Sequence, residues 1–176
     1  MSGEGHRIVR LEAPTARQLD ELAEVLADCV AGGASVSFMQ PLTPARARRF
    51  WEGVAAGVAA GDRVLLAAED EAETIVGTVQ VVWAQSENQP HRGDVAKMLV
   101  HRRARRDGLG AALMGAAEAA AREAGKTLLV LDTVTGGDAE RLYARLGWQR
   151  VGEIPDYALW PQGGLCATTV FYKTIS

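Results

Sequence analysis

Cysteine occurs only twice in 176 residues, at Cys29 and Cys166. Two thiols so far apart frame neither a disulfide scaffold nor a thiolate metal site, and they suit a reducing compartment. His6, His91 and His101 are scattered, so no imidazole cluster offers a metal site either. No apolar run reaches the ~20 residues a membrane-spanning helix needs. The opening MSGEGHRIVR is too polar for a signal peptide. A large charge of one sign is missing as well: the net charge is −3, which gives no general pull toward nucleic acid or an anionic membrane. The cluster Arg102, Arg103, Arg105 and Arg106 has no interleaved aromatics on which bases would stack. There is no Gly-Lys-Ser/Thr run, no internal repeat and no low-complexity linker. These absences predict a cytoplasmic protein with no metal, no membrane partner and no nucleic-acid partner. What is present is a hydrophobic content of 48%, enough to fill one core, and a single domain over residues 1–176 is expected.

Periodicity divides the chain as follows. His6 to Leu11 reads as a strand, and Thr15 with Gln18 has the spacing of a capping box opening a helix. Leu19, Leu22, Leu26, Cys29 and Val30 form the buried face of that helix, and Gly32-Gly33 ends it. The segment Ala34 to Pro41 is unusually apolar for a connection. Thr43-Pro44 begins a second helix as N-cap and first turn, with Phe50, Trp51, Val54 and Val58 as its apolar positions. Arg63 to Ala68 and Thr74 to Trp83 read as a hairpin. Thr127 to Thr133 is a strand whose Leu-Leu-Val-Leu run predicts burial on both faces, with Asp132 near its end. Asp138 is the expected N-cap of a short helix in which Ala139, Leu142, Tyr143 and Leu146 share a face. A strand from Trp148 to Glu153, a loop holding Pro155 and Pro161, and a last strand from about Ala167 to Thr174 complete the chain. The order βααβββαβαββ predicts an α+β fold, with helices on a mixed, mainly antiparallel sheet.

The most informative stretch runs from Asp94 to Gly125. Val95, Met98 and Val100 mark a strand, whereas Leu109, Ala112, Leu113, Ala116, Ala117 and Ala120 mark one face of a helix, with Glu118 off it. Between them lies Arg105-Arg106-Asp107-Gly108-Leu109-Gly110. A helix N-terminus presents unpaired N–H groups and a partial positive charge. Glycines there admit a phosphate to the backbone, and arginines beside it add charge-assisted hydrogen bonds. The stretch therefore reads as a cradle for a diphosphate. A dinucleotide fingerprint does not fit, because Leu113 occupies the third glycine position.

The pattern R-x-x-G-x-G after a strand ending M-L-V resembles the coenzyme A signature of the GNAT acetyltransferase superfamily. Ala139 to Trp148, ERLYARLGW preceded by Ala, resembles that superfamily's A-x-x-L-Y-x-x-x-G-[FW] motif. Gly136 stands where many members carry Asn. Gly32-Gly33-Ala34-Ser35-Val36 with Phe38-Met39, Leu131-Asp132-Thr133, and Val151-Gly152-Glu153 with Pro155 and Tyr157 are similar to the tabtoxin-resistance type of acetyltransferase. The resemblance implies a seven-stranded sheet with helices on both faces. It also implies an N-acetyltransferase that takes acetyl-CoA as donor, needs no metal and acetylates a small primary amine, such as an amino-acid-like toxin or antibiotic. The implied roles are backbone pairing with the pantetheine arm at Leu99 and Val100, and diphosphate binding by Arg105, Arg106, Asp107, Gly108, Leu109 and Gly110. Acceptor contacts would come from Ser35, Val36, Phe38 and Met39. Tyr143 matches the general acid, although by periodicity alone it reads first as a core aromatic. Asp132 would be base or ammonium anchor, and by position alone is equally a loop-capping carboxylate. A protein or peptide N-acetyltransferase, a non-enzymatic coenzyme A sensor and a homodimer all remain open at this point.

Overall fold

The protein is described by a computed structural model that covers residues 5–176. The strands are β1 (Arg7–Arg10), β2 (Arg63–Glu69), β3 (Ile75–Trp83), β4 (Arg92–Val100), β5 (Leu128–Val134), β6 (Gln149–Leu159) and β7 (Leu165–Thr174). The helices are α1 (Ala16–Ala31), α2 (Pro44–Ala59), α3 (Leu109–Glu123) and α4 (Asp138–Arg145), with a 3₁₀ turn at Arg102–Ala104. The strands form one seven-stranded sheet in the order β1-β2-β3-β4-β5-β7-β6. Every neighbouring pair is antiparallel except β4 and β5, which are parallel. This is the expected α+β architecture.

Alternation along β2 shows how the layers arise. Val64, Leu66 and Ala68 pack in one core with Leu109, Leu113 and Tyr143, while Leu65 and Ala67 pack in a second core with Leu22, Leu26 and Trp51. A strand whose successive side chains are apolar on both faces must be covered on both. Here α1 and α2 cover one face, and α3 and α4 the other. Thr15 and Gln18 form the capping box of α1, and Thr43 caps α2.

Four local expectations change. Glu118 is buried: it forms an ion pair with Lys173 of β7 at 2.9 Å, a partner distant in sequence that helical periodicity does not reveal. The N-cap of α4 is Gly137, and Asp138 is helical, its carboxylate held by Arg141. β6 runs on through Pro155 to Leu159 instead of ending at Glu153. Proline is tolerated there because β6 is an edge strand whose register slips between Ile154 and Ala158, so no ladder donor is lost. β4 likewise starts two residues earlier than Asp94.

Two features of β4 open the sheet. It pairs with β5 only at Arg92, Gly93 and Asp94, opposite Leu128, Leu129 and Val130. Beyond that, β4 stays on β3 as far as Val100, and β5 stays on β7 as far as Val134. The two parallel strands therefore diverge, each held by its outer neighbour. On the β3 side, Thr78 faces Leu99 but Gln80 faces Ala96, so Lys97 and Met98 together oppose Val79. That β-bulge puts Lys97 at φ 52° and reverses the alternation: Val95 packs in the α3 core, yet Leu99 packs in the α1 core.

Candidate active site

The gap between β4 and β5 widens into a cleft of about 1240 Å³. One wall is Val95 to Val100, the other Leu131 to Val134. The N-terminus of α3 and the first turns of α4 close one end, and residues 33–37 with Tyr157, Trp160 and Thr168 close the other. Such a volume holds an elongated ligand and a small second molecule together.

The cradle end is built by backbone. Gly108 caps α3 at φ 74°, a left-handed conformation that brings the free amides of the first turn to the cleft without a side chain in front of them. An added Cβ at Gly108 meets nothing within 4 Å, so its glycine is required by conformation, not by crowding. Gly110 differs: a Cβ there would lie 2.9 Å from Cδ2 of Leu142, which makes it the point of close approach between α3 and α4. Arg106, at φ 70°, also lines the cleft. Arg105 is turned inward, its Nε donating to the Val100 carbonyl at 3.0 Å and its Nη2 lying 3.9 Å from Cys29 Sγ. Burial pushes the Cys29 thiol up, opposed by the Arg105 cation. Arg102 and Arg103 are bound to α1 by Asp28 and Glu24. The basic cluster is thus divided, half of it tying the turn to α1 and half at the cleft.

At the junction of the walls sits Tyr143. It is 5% exposed, packed with Trp148 and Phe171 at ring-centroid distances of 6.1 Å each, and it also borders the cleft. Burial first, and then the Asp132 carboxylate, push its phenol up to about 12. Asp132 is exposed on β5 toward the cleft, and its carboxylate lies 2.7 Å from the hydroxyl of buried Thr168. That hydroxyl is also 3.0 Å from the Thr133 carbonyl, so one proton is shared between two acceptors.

Of the residues singled out from sequence, Leu99, Val100, Arg105, Arg106, Gly108, Leu109, Gly110, Asp132, Tyr143, Ser35 and Val36 border this cleft. Asp107 sits in the turn but off the cleft wall. Phe38 packs edge-on against Phe50 at 5.3 Å and Met39 is exposed, and neither lines the cleft. Gly136 lies outside the cleft lining at φ 82°, a conformation that Asn also tolerates. The loop holding these acceptor candidates is tied across the cleft mouth: Ser35 Oγ donates to the Leu159 carbonyl at 3.1 Å and Gln40 N to the Pro161 carbonyl at 2.8 Å. Sequence reading passed over Lys97 and Thr168. A lysine inside the apolar run Val95 to Val100 was the available signal; Thr168 gave none.

An opened parallel strand pair beside a glycine-capped helix N-terminus, with a buried phenol at the junction, offers room, backbone amides and a hydroxyl to an elongated ligand. Residues 22–148 match the family described as acetyltransferase (GNAT) family, and the chain belongs to that family. It is an acyltransferase. The fold is shared with a GNAT superfamily phosphinothricin acetyltransferase from Sinorhizobium meliloti in complex with AcCoA: TM-score 0.81 and 14% identity, covering 100% of this chain and 90% of that one. It is shared too with a ribosomal-protein-alanine N-acetyltransferase from Brucella melitensis: TM-score 0.78 and 19% identity, covering 96% and 99%. An N-acetyltransferase from Staphylococcus aureus Mu50 gives 0.81 and 12%, covering 98% and 100%. At these identities the likeness is one of fold.

Proposed function

We propose that this protein transfers the acetyl group of acetyl-CoA to the primary amine of a small molecule, in the manner of enzymes that protect a cell from an amino-acid-like toxin or antibiotic. The observation that carries the reading is the divergence of β4 from β5 directly beside the α3 N-terminus, with Tyr143 where they part. The groups present fit the donor. Free amides of α3 and the guanidinium of Arg106 suit its diphosphate. The β4 edge at Leu99 and Val100 offers backbone groups to an extended amide chain, and Arg105 holds the Val100 carbonyl in place.

When bound, acetyl-CoA supplies an acetyl group activated as a thioester. Tyr143, its phenol pushed up to about 12, keeps its proton at neutral pH and would give it to the departing sulfur. Asp132 receives the proton of the acceptor ammonium or anchors that ammonium, with Thr168 fixing its rotamer. The loop over residues 33–40, tied down at Leu159 through Ser35 and at Pro161 through Gln40, narrows the acceptor end and favours a small molecule over a protein chain. Two free cysteines accord with a cytoplasmic setting. No helix among the described residues is long and apolar enough to cross a membrane. The reading also takes residues 1–176 as one domain.

Coenzyme A release, followed with a thiol reagent over free amino acids, aminoglycosides, polyamines and N-terminal peptides, tests this. Turnover confined to the peptides would replace the small-molecule reading with that of a peptide acetyltransferase.

A further inference from the structure

Lys97 is the feature of the cleft that donor binding and proton transfer leave unused. The bulge turns it out of the β3–β4 ladder, and its side chain reaches into the acceptor end. There its Nζ donates to Ser37 Oγ at 3.1 Å and lies 5.7 Å from the Phe50 ring centroid. Both partners of that hydrogen bond have left-handed backbones, at φ 52° for Lys97 and 79° for Ser37. Two non-glycine residues in that conformation thus meet at one point of the cleft, where the fold fixes both backbones. Among the described residues Lys97 has no carboxylate within ion-pair distance, whereas Lys173 is paired with Glu118. Burial pulls the Lys97 ammonium down, and Asp132 across the cleft partly restores it. The same Asp132 charge acts on Tyr143. A cation half out of water without a counter-ion is an incomplete pair, which an arriving anion completes.

We propose that Lys97 and Ser37 form a carboxylate subsite, so that the acceptor is a free amino acid or amino-acid-like zwitterion, its carboxylate on Lys97 and its amine toward Asp132 and Tyr143. The proposal rests on the acetyltransferase reading and specifies its substrate class. It gives the two opposed charges of the cleft one ligand: Asp132 attracts the ammonium from the β5 wall, and Lys97 the carboxylate from the β4 wall. The Phe50 ring beneath Lys97 limits its water and strengthens the contact.

The test uses the full-length protein with acetyl-CoA and a panel of free L-amino acids, each beside its carboxamide and its decarboxylated amine. At least one acid is turned over with kcat/KM about 10- to 100-fold above its amide and amine, the range of a hydrogen bond to a charged group. Lys97→Met, which keeps the aliphatic stem, raises the KM for that acid by a similar factor and brings its kcat/KM down to that of the amide. Lys97→Arg restores part of the preference. A purely structural lysine would instead lower acid and amide together. That outcome overturns the proposal, as does a wild-type preference for the amide or amine. Turnover of no acid on the panel, with acetyl-CoA still raising the melting midpoint, also overturns it. Failure of acetyl-CoA to bind at all overturns the donor assignment beneath it.

Discussion

At the scale of single residues, burial sets the proton affinity of Tyr143. Tyr143 belongs to the core and to the cleft at once, and its burial is what raises its phenol to about 12. Tyr143→Phe keeps the ring between Trp148 and Phe171 and removes one hydroxyl. The acetylation rate should fall by ~10²–10⁴-fold with acetyl-CoA affinity nearly unchanged; a variant with wild-type kcat would leave the residue a packing aromatic. The raised phenol also has a stability consequence. Because the fold favours the protonated form, its contribution is complete below pH ~10 and is lost as pH rises through about 12. Ultraviolet titration of tyrosinate should therefore lose its highest-pH transition in Tyr143→Phe. The role of Asp132 is read from kinetics: if it accepts the ammonium proton, Asp132→Asn should abolish the acidic limb of the kcat/KM profile. If it only anchors the ammonium, the change appears in the acceptor KM.

Elements place these residues. Helix α3 can present amides to a phosphate only because Gly108 adopts φ 74°. Gly108→Val finds open space for its side chain but not for its backbone, since a β-branched residue resists that conformation. Loss of acetyl-CoA binding by calorimetry, with the far-ultraviolet dichroism of the wild type, is the expected result. Retained affinity would reduce the glycine to a turn. The segment from Ala34 to Met39 acts differently from what its apolar composition suggests. Ser35 and Val36 face the cleft, while Phe38 supports Phe50, which underlies Lys97. Phe38→Ala should accordingly raise the acceptor KM through loosening of that support, and leave the acetyl-CoA KM near its wild-type value. Equal losses on both substrates would indicate general unfolding of the α1–α2 layer.

For the molecule as a whole, ligand and partner shift stability by mass action. Acetyl-CoA at ~100 times its dissociation constant should add ~2.7 kcal/mol, read as a higher thermal midpoint that NAD and ATP do not reproduce. The far edge of the sheet raises the matter of assembly. Strand β6 is an edge strand, and it exposes Val151, Ile154, Tyr157 and Leu159, with Leu165 and Tyr172 beside them on β7. An apolar edge of this extent is open to pairing with another strand, and a homodimer through it is our expectation. Sedimentation equilibrium on the wild type and on Val151→Lys should show a dimer converted to monomer; a wild-type monomer at micromolar concentration would dismiss it.

Local pattern alone was enough for the helices and for the succession of strands along the chain, and it is what suggests a diphosphate cradle. Each depends on spacings of a few residues: Thr15 with Gln18, Leu109 with Leu113, Gly108 with Gly110. Tertiary structure decided whatever depends on partners distant in the chain. Glu118 is buried because Lys173 reaches it from β7, and Pro155 lies within β6 because that strand is at the edge. The cleft itself exists because β3 and β7 hold β4 and β5 apart beyond Asp94 and Val130. Lys97 enters that cleft through a bulge whose extra residue no alternation of Val95, Met98 and Val100 discloses, since a one-residue slip exchanges the faces of every side chain beyond it.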